Sequence, residues 1–397
     1  MKMMLAFRRW LAEMMHIAGR ELGLLFRDSG VLIFCLAVPL GYPLLYAYIY
    51  TTELMREVPV TVVDDCKTAL SREFVRKLDA TQWVKVIAVS EDVPAALQQI
   101  KEQQSYGYFV IPTDFSQRIA TGQQAFIGMY AGMSGMLYYK GMLVGATDVS
   151  LDMNEHIKIA RSGLSTVREE QLVSYPVRNQ EVSLFNPQQG FAVFLIPAVL
   201  ILIIQQTLLL GIGMAGGTAA ERGSYRQWLL RERPRPGLFC LLMGRSAAYL
   251  LLYAIISAYM LCLVPRFFGL VQIVRGLDLL LFMIPYLLSC IFLAFTLTIL
   301  MRNREMSILV FVFTSLPLLF ISGISWPGSA LPGFWKGVSY LFPSTFGING
   351  FVRMNNMGAS LYQVATEYMA LWLQTIVYSF TAWLSFRRLR KYEMRTE

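Results

Sequence analysis

The sequence predicts a polytopic α-helical membrane protein with six transmembrane helices, an inserted α/β extracytoplasmic domain and a long amphipathic helix. One uncharged apolar run stands alone at 31–50, and four or five more crowd the second half of the chain. A run of about 20 apolar residues is long enough to cross a bilayer as a helix. The mostly polar stretch that follows the first run is therefore expected to form one large water-facing domain.

Composition and charge are typical of a protein that exposes much of its surface to lipid. Charged residues make up 15% of the chain and hydrophobic ones 55%, with a mean hydropathy of +0.48. Ordinary soluble domains carry roughly 25% charged residues. The net charge of +9 gathers beside the ends of the apolar runs, as the positive-inside rule expects, so no nucleic-acid partner is expected.

The distribution of positive charge predicts the orientation. The six predicted spans cover residues 30–51, 188–215, 239–264, 277–301, 305–325 and 365–386. On one side of the membrane, 18 Lys and Arg residues lie in segments 1–29, 217–245, 302–304 and 387–397. The two loops on the other side hold four, Arg266, Arg275, Lys336 and Arg353. We therefore expect a multi-pass membrane protein with both termini cytoplasmic, and we place it in the plasma (inner) membrane of a bacterium.

The two ends of the chain are predicted to lie at the cytoplasmic surface. Residues 1–29 form a cytoplasmic amphipathic interfacial helix in this prediction, because apolar residues from Phe7 to Leu25 recur at helical spacing. This helix leads into the first transmembrane helix at 30–51, and residues 387–397 form a basic cytoplasmic tail. The helix anchors the chain at the interface, and it could also dock a cytoplasmic partner.

The region 188–386 is predicted to be a five-helix transmembrane domain with two irregular insertions. A cytoplasmic coupling segment occupies 217–238, where a short helix on the membrane surface is the simpler interpretation and a lever pushed by a motor subunit is the alternative. An outer interfacial segment occupies 327–356, where prolines and glycines interrupt an aromatic-rich stretch. Irregular backbone at membrane depth needs cover from protein or water, so we expect short helices that dip into the interface.

Residues 52–187 are predicted to form the α/β domain outside the membrane. Strand-like runs fall at Val58–Val63, Trp83–Val89, Tyr106–Ile111 and Ala125–Tyr130, and helix-like stretches between them at Leu70–Leu78, Val93–Gln103 and Phe115–Thr121. This alternation predicts crossover connections and a partly parallel sheet. Apolar residues from Tyr139 to Val167 then recur at steps of three or four, which predicts a long amphipathic helix. It packs on its own domain or, alternatively, against another subunit or an adaptor.

No pattern for catalysis or metal binding is present in the sequence. The two histidines, His16 and His156, fall on opposite sides of the membrane in this topology, and neither HExxH nor GxSxG occurs. The GxxxxGK[ST] phosphate loop is also missing. The five cysteines form no CxxC pair; Cys66, alone in the polar domain, could pair only between chains. We therefore expect no catalytic residues, no metal and no cofactor on this chain.

Two neighbouring glutamines are the notable polar residues within the predicted spans. Gln205 and Gln206 lie near the middle of the second span. Polar groups in hydrocarbon need partners, so such residues face another helix or an aqueous path. We keep both interpretations open: hydrogen bonding between helices, or a translocation path or dimer interface.

Several motifs in order along the chain resemble one membrane protein family. The sequence VVDD at 62–65 is followed by LSR at 70–72, and GYFVIPTDF spans 107–115. FNP at 185–187 precedes the second span, and Glu221, Arg222, Gly223 and Ser224 follow it. Pro343, Ser344, Thr345, Gly350 and Arg353 precede the last span. In this order and spacing, the chain resembles the permease subunits of ABC-2 type exporters that carry a large extracytoplasmic domain between the first two spans.

The resemblance implies a function and a set of partners. Such a permease exports a hydrophobic or amphipathic compound, pairs with an identical or paralogous permease, and engages cytoplasmic ABC ATPase subunits that bind ATP and Mg. It implies contact with the ATPase at Arg8, Arg9, Glu21, Glu221, Arg222, Gly223 and Ser224. A periplasmic adaptor and an outer-membrane channel are further possible partners, besides membrane lipid. Ser224 departs from the family's usual Thr, and Cys66-Lys67-Thr68 replaces the usual acidic turn.

Two other classes of function stay open at this point. A non-transporting membrane scaffold or receptor would use its outer domain to bind a ligand or an envelope partner. It would have no ATPase partner, and Glu221→Ala would affect stability alone. A membrane-embedded lipid transferase would need a cluster of carboxylates or histidines at one interface, and the sequence offers none.

Overall fold

The computed structural model describes residues 2–50, 55–132, 135–162, 185, 190–221, 237–326 and 328–395. The chain divides into two compact units, one formed by Met1–Glu53 with Ser183–Glu397 and the other by Leu54–Val182. The first is helical and holds six helices long and apolar enough to cross a membrane. The second contains the sheet. The predicted fold class, a polytopic helical membrane protein with an inserted α/β domain, is confirmed.

The inserted domain is built on a four-stranded mixed sheet. Its strands are β1 (Val58–Asp64), β2 (Val84–Ser90), β3 (Gly107–Ile111) and β4 (Gly128–Ala131), in the order β2-β1-β3-β4. Strand β1 pairs in parallel with β2 and β3, while β4 is antiparallel to β3. The partly parallel sheet predicted from the alternating pattern is therefore present.

Helices cover both faces of this sheet. They are α3 (Ala69–Asp79), α4 (Val93–Lys101), α5 (Phe115–Ala120) and α6 (Met136–Ser162). On one face, Phe74 of α3 and Met142 of α6 pack against Val60 of the central strand. On the other, Ala96 of α4 packs against Val63. Burial on both sides explains why β1 is almost continuously apolar rather than alternating. The long helix α6 packs on its own sheet through Met142.

The helical unit contains the six candidate spans and three further helices. The candidate spans are α2 (Ser29–Ile49), α7 (Phe191–Glu221), α8 (Leu238–Phe267), α9 (Gly276–Thr298), α10 (Arg304–Ile321) and α13 (Ala365–Arg395). The other helices are α1 (Lys2–Leu25), α11 (Gly333–Ser339) and α12 (Pro343–Met357). Helix α7 is the centre of this unit, because its most apolar stretch is 100% buried. It is apolar on all sides, as expected of a helix surrounded by others.

Two spans contain a wider helical turn just ahead of a proline. These turns cover Ile33–Ala37 in α2 and Tyr259–Leu263 in α8, and each ends two residues before a proline, Pro39 or Pro265. Proline lacks a backbone N–H and clashes with the carbonyl four residues earlier. A wider turn relieves this conflict while neighbouring helices satisfy the freed carbonyl groups.

The boundaries of the two insertions differ from the predicted ones. Helix α7 continues to Glu221, so residues 217–221 of the predicted coupling segment belong to a helix. A side chain at Gly217 would place its Cβ 2.6 Å from the carbonyl oxygen of Asn303, and glycine therefore lets α7 pass close to the loop before α10. Residues 222–236 lie outside the described residues. The outer segment contains a short 3₁₀ turn at Gly328–Ala330, then α11 and α12.

Candidate functional site

The N-terminal helix α1 packs against α8 from Trp10 onward, where the Trp10 ring stacks on Phe239. Ile17 is buried, and Gly244 of α8 lets the two helices approach, since a Cβ there would lie 2.8 Å from Cβ of Ile17. Arg8 and Arg9 lie in the exposed first half of α1. The helix predicted to rest on the membrane surface is thus anchored to a span over most of its described length, while Arg8 and Arg9 stay exposed.

A buried ion pair reinforces this contact between α1 and α8. The Glu21 carboxylate lies 3.5 Å from Nε of Arg245, and the two side chains are only 6% and 4% exposed. Removing one member of such a pair leaves an uncompensated charge in a medium of low dielectric constant. Glu21, predicted as a motor-contact residue, therefore holds α1 in place within the chain. The sequence indicated this role in one way: Arg245 is a charge inside an apolar run.

The end of α7 is joined to the beginnings of α2 and α10 by a second set of polar contacts. Oε1 of Glu221 accepts a hydrogen bond of 2.9 Å from the backbone N–H of Arg304. The Arg304 guanidinium pairs with Asp28. Asp28 in turn caps α2 by accepting from the backbone N–H groups of Gly30 and Val31, at 3.1 and 3.3 Å. Three chain segments thus meet at this cluster, and Glu221 links the end of α7 to the start of α10.

The predicted coupling residues therefore fall into three groups. Arg8 and Arg9 are exposed, while Glu21 and Glu221 make contacts within the chain. Arg222, Gly223 and Ser224 lie outside the described residues. Sequence reasoning missed Arg245, which pairs with Glu21, and Arg304, which binds Glu221. It also missed Asp28, the partner of the Arg304 side chain.

Gln205 is engaged in holding the first turn of α12. Its Oε1 accepts a hydrogen bond of 2.7 Å from the backbone N–H of Ser344, and its Nε2 donates to Oγ of Ser344 at 3.2 Å. The first N–H groups of a helix have no partner within the helix, so Gln205 satisfies one of them from a neighbouring span. Of the two interpretations offered for Gln205, the structure shows hydrogen bonding between helices.

The predicted outer motif is the buried helix α12 itself. Pro343 opens the helix, where its fixed φ suits the first position. Thr345 donates to the Ser339 carbonyl at 2.7 Å, and Gly350 faces the ring of Phe282, which a Cβ would approach to 2.4 Å. At the far end, the Arg353 guanidinium lies 2.9 Å from the Glu367 carboxylate. These side chains position α12 against the spans around it.

Gln206 is in the opposite situation. It is 7% exposed, and neither atom of its side-chain amide has a hydrogen-bond partner in the described part of the chain. It lines a groove of about 220 Å³ between α2, α7 and α10. The groove is otherwise mostly apolar and aromatic, with Phe34, Tyr42 and Phe311 in its wall. A buried amide without a partner costs about 1–3 kcal/mol, so a hydrogen-bonding group placed beside it would be stabilising.

Other polar groups in the groove are satisfied. The Thr207 hydroxyl donates to the Ile203 carbonyl at 2.7 Å, and the Ser315 hydroxyl to the Val312 carbonyl at 2.6 Å. Gln206 differs from these two residues because both atoms of its side-chain amide lack a hydrogen-bond partner in the described part of the chain.

In the inserted domain, the VVDD motif at 62–65 stabilises the turn that follows the first strand of the sheet. Asp64 accepts from the backbone N–H of Cys66 at 3.1 Å and from the Ser71 hydroxyl at 2.8 Å, which fixes the turn after β1. Burial raises the pKa of the Cys66 thiol, but hydrogen bonds with Ser116 and Thr68 outweigh it and the net shift is downward. Within the described ranges, no three His, Cys, Asp or Glu side chains converge as metal ligands would.

The comparisons with known proteins agree with the arrangement of spans. A family model described as ABC-2 family transporter protein matches residues 29–384, which is most of the chain. A search of curated proteins gave no match. The matched region begins at the first span, includes the whole inserted domain and ends within the last span. With six candidate spans in a helical unit and a single α/β insertion after the first, the chain belongs to the ABC-2 transporter family.

Proposed function

We propose that this chain is the permease subunit of an ATP-driven exporter that moves a hydrophobic or amphipathic compound, such as a drug or a lipid, out of the cytoplasm or the inner leaflet. Membership of the ABC-2 family supports partnership with an ATPase subunit. The sequence has no phosphate loop, so ATP and Mg would bind on the separate ATPase. The exposed Arg8 and Arg9, together with Glu221, Arg222, Gly223 and Ser224, would meet that partner.

The orphaned amide of Gln206 is the observation that carries this proposal. A hydrogen-bonding group held in an apolar, aromatic groove suits a ligand that is mainly apolar and has one or two polar atoms. A strongly ionic cargo would be costly to desolvate there, since the lining residues are largely aliphatic and aromatic. Gln206, and not Gln205, is therefore our candidate for the translocation path.

A second permease subunit, identical or paralogous, would close this groove. The spans α10 and α2 bury 17% and 28% of their most apolar stretches, whereas α9 buries 72%. Leu309, Phe313 and Leu316, each more than 60% exposed, form a stripe at helical spacing along α10. Packing of a second subunit on α10 would cover this stripe and place Gln206 beside the interface.

The remaining parts of the proposal concern the envelope. The charge distribution supports cytoplasmic termini and an extracytoplasmic α/β domain, and we place the chain in the inner membrane of a bacterium. In a cell with two membranes, that domain would face the periplasm. Leu143 and Leu151 leave apolar surface on the long helix α6, which supports docking of a periplasmic adaptor that leads to an outer-membrane channel.

The test begins with purification of the tagged chain from its own host in mild detergent and an assay of ATP hydrolysis on the eluate. We expect a Walker-motif ATPase to co-purify. After reconstitution, apolar compounds should stimulate its activity in the wild type and much less in Gln206→Leu. A monodisperse chain without ATPase in several detergents would contradict the exporter and favour a scaffold or receptor.

The subunit interface has its own test, which uses disulfide cross-linking in native membranes. In a Cys66→Ser/Cys262→Ser background, Phe313→Cys should cross-link two permease chains. Ile376→Cys on α13 is the matched control, because Ile376 is also well exposed, at 64%. Equal cross-linking at both positions would rule out a specific interface at α10.

A further inference from the structure

A second cavity lies between α8 and α9, on surfaces that the proposed function does not use. It is a furrow of about 510 Å³. Its walls are made by Ala247, Leu250, Leu251, Ala254, Ser257, Ala258, Leu261, Cys262, Gly276, Leu279, Leu280, Met283, Ile284 and Leu287. We call this cavity the α8–α9 furrow. Its residues are separate from those of the groove at Gln206.

The furrow exists because small side chains follow one stripe of α8. Ala247, Ala254 and Ala258 recur at helical spacing, and beside them Leu251 and Leu280, both nearly 60% exposed, form the rims. Such a stripe usually lets another helix pack closely. Here α9 leaves the stripe uncovered, and an open channel results.

One polar side chain faces this channel without a partner. Ser257 is 4% exposed, and its hydroxyl has no hydrogen-bond partner among the residues described. The Thr298 hydroxyl of α9, by contrast, donates to the backbone carbonyl of Ala294 at 2.9 Å. Ser257 could therefore donate to an acceptor that enters the furrow.

The furrow is long, and apart from Ser257 and Cys262 its wall is apolar. From Ala247 to Cys262 it follows α8 for about 22 Å, at 1.5 Å per residue. An extended hydrocarbon chain is long and apolar in the same way, so an acyl chain of the bilayer matches both its shape and its chemistry.

Positive charge marks one end of the furrow. Arg275 directly precedes Gly276 in the wall, and Arg266 follows Cys262 by one helical turn. Both arginines are exposed, and neither forms an ion pair in the described part of the chain. Asp278 is the one acidic residue in this stretch of sequence, 264–287. Two guanidinium groups against one carboxylate leave a net positive mouth beside an apolar channel.

We propose that the α8–α9 furrow is a binding site for a phospholipid of the surrounding bilayer with an anionic headgroup. One acyl chain lies along the alanine stripe between α8 and α9. Its ester oxygen accepts the hydrogen bond that Ser257 can donate. The phosphate lies at the mouth, where Arg266 and Arg275 bind it, since guanidinium groups match phosphate geometry. The site is distinct from the export path and does not depend on the identity of the cargo.

The test measures phospholipid retained by the full chain with native mass spectrometry, after partial delipidation and addition of phosphatidylglycerol or phosphatidylcholine. Ala254→Trp fills the furrow, and Ile376→Trp places the same residue at an exposed position on α13. We expect the wild type and Ile376→Trp to retain phosphatidylglycerol and Ala254→Trp to lose it. The Arg266→Gln/Arg275→Gln variant should still bind lipid, with its preference for phosphatidylglycerol over phosphatidylcholine reduced at least about fivefold.

Three outcomes would overturn the proposal. Equal retention by Ala254→Trp and Ile376→Trp would place any bound lipid outside the furrow. If the Arg266→Gln/Arg275→Gln variant kept its preference for phosphatidylglycerol over phosphatidylcholine, the two arginines would not bind the headgroup. If a photocrosslinker attached to Cys262 captured a small single-span protein rather than lipid, the occupant would be a partner helix. Circular dichroism on each variant ensures that a loss of lipid is not a loss of fold.

Discussion

Gln205 and Gln206 are neighbours on α7, yet they face two different regions of the helical unit. On the side of α12, Gln205 is bonded to Ser344 through both of its amide atoms. On the side of α2 and α10, Gln206 has no partner within the described chain. Two residues one step apart on a helix point about 100° apart, so identical side chains meet different surroundings. The first region holds the helices together, and in our proposal the second meets a cargo or a second subunit.

The largest change in stability is expected at the buried ion pair between α1 and α8, which also holds two helices of this unit together. Arg245→Met should lower the free energy of unfolding by about 3–5 kcal/mol, because the Glu21 carboxylate would stay buried without its partner. Arg8→Met, at an exposed position of α1, should change it little. The Glu21→Met/Arg245→Met double variant should regain most of the loss. Unfolding in mixed micelles measures all three, and equal losses in Arg245→Met and Arg8→Met would contradict the role of the pair.

The comparison between the two glutamines can be tested directly with the same substitution at each. Gln205→Leu should destabilise the chain by about 1–3 kcal/mol, because the backbone N–H of Ser344 would remain buried and unbonded. Gln206→Leu should leave stability unchanged or raise it slightly, since it removes two polar atoms that already lack partners. Export and stimulated ATPase activity should fall in Gln206→Leu. A loss of stability at Gln206 equal to that at Gln205 would show that Gln206 has a partner within the chain.

A smaller loss of stability is expected from a substitution at the junction between α7 and α10. Glu221→Ala removes the hydrogen bond to the backbone of Arg304 and should cost about 0.5–1.5 kcal/mol. If Glu221 also transmits force from an ATPase, cargo-stimulated ATP hydrolysis should fall well beyond this loss of stability. Glu305→Ala, which removes a nearby exposed carboxylate on α10, is the matched control. Equal activity in the two variants at equal expression would limit Glu221 to a structural role.

Much of the fold could be predicted from the sequence because it depends on hydrophobic runs and local periodicity. The six spans, the four strands and the parallel core of the sheet all follow from such patterns. The end of α7 was predicted six residues early. Gly216 and Gly217 lie in this last part of the helix and let α7 pack closely against Thr298 and Asn303.

The candidate site was less predictable, because the role of each residue depends on contacts between segments that are distant in the sequence. The sequence identified both glutamines but could not say which one faces α12, since hydropathy is the same for each. It also counted Arg245 as part of a positively charged flank. Only the packing of α1 against α8 shows that this arginine lies inside the protein beside Glu21. An arginine within an apolar run is the signal that could have revealed the pair.

The smallest change in stability is expected for an ion pair outside the helical unit. Unlike the buried pair of Glu21 and Arg245, this pair is partly exposed to solvent. In the inserted domain, Nζ of Lys77 lies 2.6 Å from Oδ2 of Asp152, and both side chains are partly exposed. The hydrogen bond from Lys77 lowers the pKa of Asp152. Because this pair is screened by solvent, it should contribute at most about 1 kcal/mol.

The pH dependence follows from the direction of that shift. A carboxyl group whose pKa is lowered in the folded state stabilises the protein above its ordinary pKa and loses this contribution as the pH falls through the lowered value. Asp152→Asn should therefore reduce the Tm slightly at neutral pH, and the difference from wild type should vanish in acid. Asp148→Asn, at an exposed position of the same helix, is the matched control and should leave the Tm at neutral pH close to that of the wild type. A difference for Asp152→Asn that persists unchanged at low pH would mean that the residue acts through packing rather than charge.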